Sequence, residues 1–259
     1  MSIRFGPAGL GGVEGAVDTL KEIHKMGLRA CEIAFTYSIY IKNKEDALRI
    51  GKVAKELDIA LSIHAPYFLN LNSGEREKTE ASKKRILDCC EIGELLGARV
   101  VVFHPGYYLK DRIESYNVIK AGILEIKDKI KERGWKVNIA PETMGKINVF
   151  GSIEEIGRLK RETGCGFCLD FAHILAREKK VDYEKIKGLF GEGKWHCHFS
   201  GIEYGEKGEK RHKKTGKEEW KELLVNLPKD KEIVIINESP EMIEDSIEGL
   251  KIYKEINIA

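Results

Sequence analysis

The chain of 259 residues contains no glutamine, only six prolines and only six cysteines. No stretch approaches the roughly 18–20 consecutive apolar residues of a membrane-spanning helix, so no membrane partner is expected. The opening MSIRFGPAGLGG lacks the apolar h-region of a secretory signal, which makes a cytoplasmic protein the expectation. Excess charge of one sign is also missing: 44 basic against 42 acidic residues give a formal charge of +2. That balance excludes a global basic field and leaves any nucleic-acid contact to a local patch. Glycine and proline are scattered rather than clustered and 42% of residues are hydrophobic, which excludes a disordered chain and supplies a sizeable core. With no secretory signal, Cys31, Cys89, Cys90, Cys165, Cys168 and Cys197 read as reduced thiols. Cys165 and Cys168 form C-x-x-C inside GCGFCLDF, a strand-like setting in which residues three apart point to opposite faces, so buried small side chains are expected rather than a redox or zinc pair. A chain without glutamine in which 33% of residues are charged has the composition of heat-adapted proteins.

What is present is a regular alternation. Short apolar runs at 3–6, 30–35, 60–65, 99–104, 136–142, 165–170, 194–200 and 232–238 give eight strand candidates. Amphipathic stretches such as 13–27, 45–58, 81–97, 115–134 and 152–164 lie between them, and the last opens at Ser152 and closes at Gly164 as helix capping requires. Eight βα repeats without a composition shift predict an α/β (β/α)8 TIM barrel, one domain over residues 1–259.

Chemistry in such barrels sits at the C-terminal ends of the strands, where the βα loops converge. Strands three to eight end at His64, His104, Glu142, Asp170, His198 and Glu238. Three carboxylates around one mouth would repel unless cations lay among them. Imidazole mixed with carboxylate suits zinc, manganese or iron better than magnesium or calcium. Six donors also exceed what one tetrahedral ion uses, so at least two ions are expected, with one carboxylate free to bridge. In WHCHFS, His196 and His198 share a strand face; His198 is nearer the mouth, and His196 is expected to be a hydrogen-bonded interior residue.

The stretches SIHAPYFLNLNS (62–73), VVFHPG (101–106), IAPETMGK (139–146), CLDFAHILA (168–176) and INESP (236–240), spread over about two thirds of the chain, resemble the motifs of the endonuclease IV family of apurinic/apyrimidinic (AP) endonucleases. The chain looks like a divergent, archaeal-type member of that family within the xylose isomerase-like barrels. The resemblance implies a hydrolase acting on ester bonds, a deoxyribonuclease IV-like enzyme of base excision repair that cleaves the phosphodiester 5′ to abasic sites in double-stranded DNA. It implies two or three Zn2+ ions, with Mn2+ as the alternative metal, no organic cofactor, and a monomer. By it, His64, His104 and Glu142 hold a first ion, and Glu142, the catalytic carboxylate, bridges to a second completed by Asp170, His198 and Glu238. His173, on the loop after Asp170, and His212 belong to a third. Tyr67 and Phe68 enter the DNA stack, with Asn70 beside them, and Arg211 reaches phosphate.

Departures from the family pattern are local. Where the family offers an arginine after strand two, FTYSIYIKN offers Tyr37 and Tyr40 before Lys42, and GPAGLGG is a loose match to the family's N-terminal stretch. The family's Asp-Arg-His reads Lys210-Arg211-His212 here, in the basic segment GEKGEKRHKKTG (205–216), which reads either as a solvated loop or as a patch with His212 aimed inward and Lys210, Arg211, Lys213 and Lys214 available to phosphates. A protonated lysine cannot ligate a cation. A third ion would then be held by His173 and His212 with another acid, such as Glu203, Glu206 or Glu209, or would be weak or absent. Two alternatives follow: a sugar or sugar-phosphate isomerase or epimerase of the same barrel class, working with one or two ions, and a non-catalytic binder of damaged DNA.

Overall fold

The computed structural model describes residues 2–258. In chain order its elements are β1 (Ser2–Pro7), α1 (Ala16–Lys25), β2 (Ala30–Ala34), α2 (Lys44–Glu56), β3 (Ala60–His64), α3 (Arg76–Leu96), β4 (Val100–Phe103), α4 (Arg112–Glu132) and β5 (Asn138–Pro141), then α5 (Ile153–Thr163), β6 (Cys168–Asp170), α6 (Phe171–Glu178), α7 (Tyr183–Phe190), β7 (Trp195–Phe199), β8 (Gly201–Gly205), β9 (Gly208–Lys213), α8 (Lys217–Asn226), β10 (Glu232–Asn237) and α9 (Met242–Ile258). Eight strands pair in parallel in two runs, β1-β10-β7-β6 and β2-β3-β4-β5. A parallel bridge from Glu142 to Cys168 joins one pair of run ends. At the other pair, the Arg29 N–H donates to the Phe5 carbonyl at 3.0 Å. The result is the expected TIM barrel, with β8 and β9 forming an antiparallel hairpin after β7.

Each helix covers the barrel with one apolar stripe. In α1 the buried residues are Ala16, Leu20 and Ile23, one face of a 3.6-residue period. Burying a Leu, Ile or Phe contributes about 1.5–3 kcal/mol, so the layer between strands and helices dominates the stability. The termini follow from capping. Asp111 accepts from the N–H groups of Ile113 and Glu114 at 2.7 and 3.0 Å, and Ser152 and Glu155 cap each other's backbone. Inside the barrel two apolar clusters pack, Val100, Val102, Ala140 and Cys168 in one and Ala30, Val234 and Ile236 in another. All six cysteines are free and buried.

Two segments depart from the sequence expectation. His173 lies in the first turn of α6 rather than on a loop, because the Asp170 carboxylate accepts from the His173 N–H at 2.7 Å and caps that helix. The basic segment, for which a solvated loop is one of the two readings, is largely strand β9. Its own pattern is polar; it is ordered by pairing with β8 and by docking on residues 145–147, where Glu209 N–H donates to the Gly145 carbonyl at 3.3 Å and Lys146 bridges Gly208.

Candidate metal centre

Parallel strands of similar length bring their C-terminal ends to one level. His64 and Asp170 are the last residues of β3 and β6, His198 is the penultimate residue of β7, and His104, Glu142 and Glu238 directly follow β4, β5 and β10. Glu142 is the hub, fully buried. Its Oε2 lies 3.1 Å from His64 Nε2 and 3.3 Å from His104 Nε2. Its Oε1 lies 3.3 Å from both His173 Nδ1 and His198 Nδ1. His198 Nδ1 is in turn 3.4 Å from Glu238 Oε1. The donors fall into overlapping groups whose ligating atoms lie within 4.8 Å of one another: His64, Glu142 and His198; Glu142, Asp170, His198 and Glu238; Asp170, His173 and His212; and the buried Cys168, His196 and His198. A carboxylate shared between groups is what a bridge between two cations requires.

The chemistry of the donors fits cations. His64 turns Nδ1 to the Ala65 carbonyl at 2.7 Å, His173 turns Nδ1 to the Thr143 carbonyl at 3.0 Å, and His212 turns Nδ1 to the Ser200 hydroxyl at 2.6 Å. An imidazole that donates from one nitrogen keeps the other as a lone pair, which is how metal-binding histidines are held. Several buried donor atoms also lack hydrogen-bond partners: Glu142 Oε1, Asp170 Oδ2, Glu209 Oε2 and both ring nitrogens of His198. Unpaired buried polar atoms each cost on the order of 1–3 kcal/mol, a cost that ligation would remove.

Electrostatics separates the carboxylates. Burial alone would raise Glu142, but the charge of His198 and the close approach of the His104, His173 and His198 imidazoles hold it well below the usual carboxylate range. Glu238 goes the other way: burial pushes it up, and with the added repulsion of Glu142 and Asp170 it stays raised against the charges of His198 and His212. Burial lowers His64, His173 and His198, yet the surrounding anions reverse this and leave all three raised.

One member of the site went unread in the sequence. Glu32, in the middle of β2, is fully buried, accepts from Ser62 Oγ at 2.7 Å, contacts His196 Nε2 at 3.0 Å, and faces His198 Nε2 with its other oxygen at 2.9 Å. His196 is thus hydrogen-bonded in the interior. A lone carboxylate in the apolar run ACEIAF was the available signal.

At the rim, Tyr67 and Phe68 are 41% and 52% exposed. The Tyr67 ring packs on His64 and His104, with centroids 4.7 and 5.3 Å apart, whereas Phe68 lies under the Arg85 guanidinium, 5.2 Å from its ring centroid. Asn70 and Arg211, expected at DNA, are engaged within the protein. Asn70 Oδ1 accepts from the Asn72 N–H at 2.9 Å, and the Arg211 fork is closed on Glu203 at 2.8 and 2.9 Å. Tyr67, His104, His173, Glu209, His212 and Glu238 line an open cavity of about 320 Å3 over the ring.

Comparison with known proteins agrees with this fold. A family model described as "Xylose isomerase-like TIM barrel" matches residues 20–256. An uncharacterized protein of Methanocaldococcus jannaschii is 38% identical over 93% of this chain and 92% of its own length. A probable endonuclease 4 of Mycobacterium marinum is 26% identical over 77% of this chain and 79% of its own. Among solved structures, endonuclease IV from Thermus thermophilus superposes with a TM-score of 0.73 at 20% identity over the whole of both chains. A D-psicose 3-epimerase superposes with a TM-score of 0.70 at 16% identity over 93% of each. At these identities the structures share the fold, and that fold carries both chemistries.

Proposed function

The chain belongs to the xylose isomerase-like TIM-barrel family, and from that premise we propose that it is a metal-dependent, zinc-type AP endonuclease that hydrolyses the phosphodiester 5′ to abasic sites in DNA. The observation that carries the proposal is the number and overlap of donors: the His64 group and the four-donor group share Glu142 and His198, and the four-donor group shares Asp170 with the His173 and His212 group, which together are more donors than a single-ion centre uses. The endonuclease 4 likeness supports the same choice.

His64, His104 and Glu142 would hold one divalent ion, and Glu142, Asp170, His198 and Glu238 a second. Bound there, such ions supply Lewis acidity, polarising a phosphoryl oxygen and lowering the pKa of water toward neutrality. Glu142 is kept ionised by the surrounding imidazoles, so its carboxylate would be available to both ions without losing a proton first. The carbonyls of Ala65 and Thr143 fix the rings of His64 and His173, so the donors need not reorganise as substrate arrives. With Tyr67 committed to His64 and His104, Phe68 is the side chain free to wedge into a base stack, and a site already lacking its base is the least costly to open.

A second reading has its own observation. Glu142, Asp170, His198 and Glu238 by themselves make a four-donor group that suits one ion, enough for an epimerase that moves a proton on a sugar. The test is to give the metal-loaded protein a duplex with one tetrahydrofuran abasic analogue and, separately, a panel of ketohexoses. Strand incision without sugar turnover supports the endonuclease. Epimerised ketohexose with intact DNA would replace it with the second reading.

A further inference from the structure

We infer that the position occupied by Lys210 does not cost the chain a third cation, because a one-residue bulge in β9 substitutes Glu209 as the acid that joins His173 and His212. The inference rests on the mouth being a polynuclear metal centre and says which residue of this chain completes it.

The hairpin register shows the substitution directly. Ile202 pairs with His212 and Glu203 with Arg211, but Tyr204 pairs with Glu209, so Lys210 is the extra residue. A bulge leaves one residue out of the ladder and re-aims its neighbours. The Lys210 chain runs over Gly205, where an added Cβ would meet its Cε at 3.0 Å, and Lys210 is exposed. Glu209 turns toward the mouth instead, and its Oε2 lies 3.1 Å from His173 Nε2. That nitrogen is the one open to a cation, because Nδ1 is held by the Thr143 carbonyl. The His173 and His212 ring centroids are 5.3 Å apart, and His212 too has its Nδ1 occupied, by Ser200. The two imidazoles and the carboxylate therefore line one side of the mouth cavity, and Glu209 Oε2 has no hydrogen-bond partner.

Of the acids available in the sequence, Glu203 is closed on Arg211. Glu206 falls in the two-residue turn between the strands. The chain around Glu209 is shaped for its approach. A Cβ at residue 145 would stand 2.3 Å from Glu209 Oε2 and 3.1 Å from the His173 ring, so the glycine of PETMGK is what lets the carboxylate in. Gly208, at φ +99° and against the Gly145 carbonyl, lets the hairpin dock closely enough to deliver it.

The test counts metal and uses no DNA. Parent, Glu209→Gln, Gly145→Ala, Lys210→Ala and the double variant Glu209→Gln with Lys210→Asp are dialysed to equilibrium against Zn2+, and bound zinc per chain is measured by elemental analysis. The parent should hold three ions and Lys210→Ala three. Glu209→Gln should hold two, Gly145→Ala should lose the same ion, and the double variant should stay at two because residue 210 points away. Three ions in both Glu209→Gln and Gly145→Ala, recovery of the third by Lys210→Asp, or two in the parent would overturn the inference. Far-UV circular dichroism of each dialysed sample guards against counting an unfolded chain, and Gly145→Ala, which keeps every donor, decides the question where Glu209→Gln does not fold. A count that behaves as stated in a protein inert on abasic DNA would sink the nuclease and leave the third position standing; an active nuclease whose zinc count ignores Glu209 would do the reverse.

Discussion

Replacing Glu142 and Glu238 by glutamine should move the stability of the metal-free protein in opposite directions. Glu142 is held well below the usual carboxylate range, so its ionised form is stabilised by folding, a contribution present above about pH 4.5 and lost as pH falls through the folded value. Its four imidazole contacts at 3.1–3.3 Å would lose their anion in Glu142→Gln. Breaking one buried pair costs about 3–5 kcal/mol, and loss of the imidazole protons would relieve part of that, leaving about 2–4 kcal/mol. At about 2–4 °C of Tm per kcal/mol for a chain of this size, the drop is on the order of 5–15 °C. Glu238 is raised, so folding disfavours its charge, and Glu238→Gln should leave the metal-free Tm unchanged or higher at pH 7. Both variants should bind zinc more weakly. The assay is thermal unfolding of chelator-dialysed proteins at pH 7, followed by zinc titration. Equal destabilisation by the two substitutions, or a metal-free Glu142→Gln as stable as the parent, would refute the assignment of Glu142 as the hub.

Three further outcomes follow from the same contacts. The raised His64, His173 and His198 stabilise the metal-free protein fully below about pH 6.5 and progressively less as pH rises through their folded values, whereas zinc must displace their protons; metal-free Tm should therefore fall with rising pH above about 6.5 while zinc affinity climbs, a pairing that unfolding and titration calorimetry would check together. Glu32→Gln removes the carboxylate that faces His198 and should weaken metal binding about 10–100-fold while the fold persists, read by competition with a chromogenic chelator; an unchanged affinity would remove Glu32 from the centre. Phe68→Ala should lower kcat/KM on abasic DNA by about 1–3 kcal/mol, the usual worth of a base–aromatic stack, without changing bound zinc.

The barrel was legible because eight apolar runs alternate with amphipathic stretches, and the mouth because strands three to eight end in His, His, Glu, Asp, His and Glu. Parallel strands convert position along the chain into position around a ring, so donors far apart in the chain could be grouped from their place at strand ends. Glu32 escaped this rule because it sits in the middle of β2 and reaches His198 from below. The hairpin escaped because β9 is polar and gains its order from docking, and the bulge at Lys210 is set by register, which no local pattern of charges encodes. Asn70 and Arg211 have the residue types of DNA contacts, but each is hydrogen-bonded within the protein, and that is a fact of tertiary structure.

The most direct measurement is the end chemistry of a 5′-labelled duplex carrying one tetrahydrofuran abasic analogue after exposure to the zinc-loaded protein. Incision on the 5′ side of the analogue leaving a 3′-hydroxyl, abolished by chelator and restored by zinc, is the predicted result. An uncut strand from a sample whose elemental analysis shows its zinc in place would contradict the account.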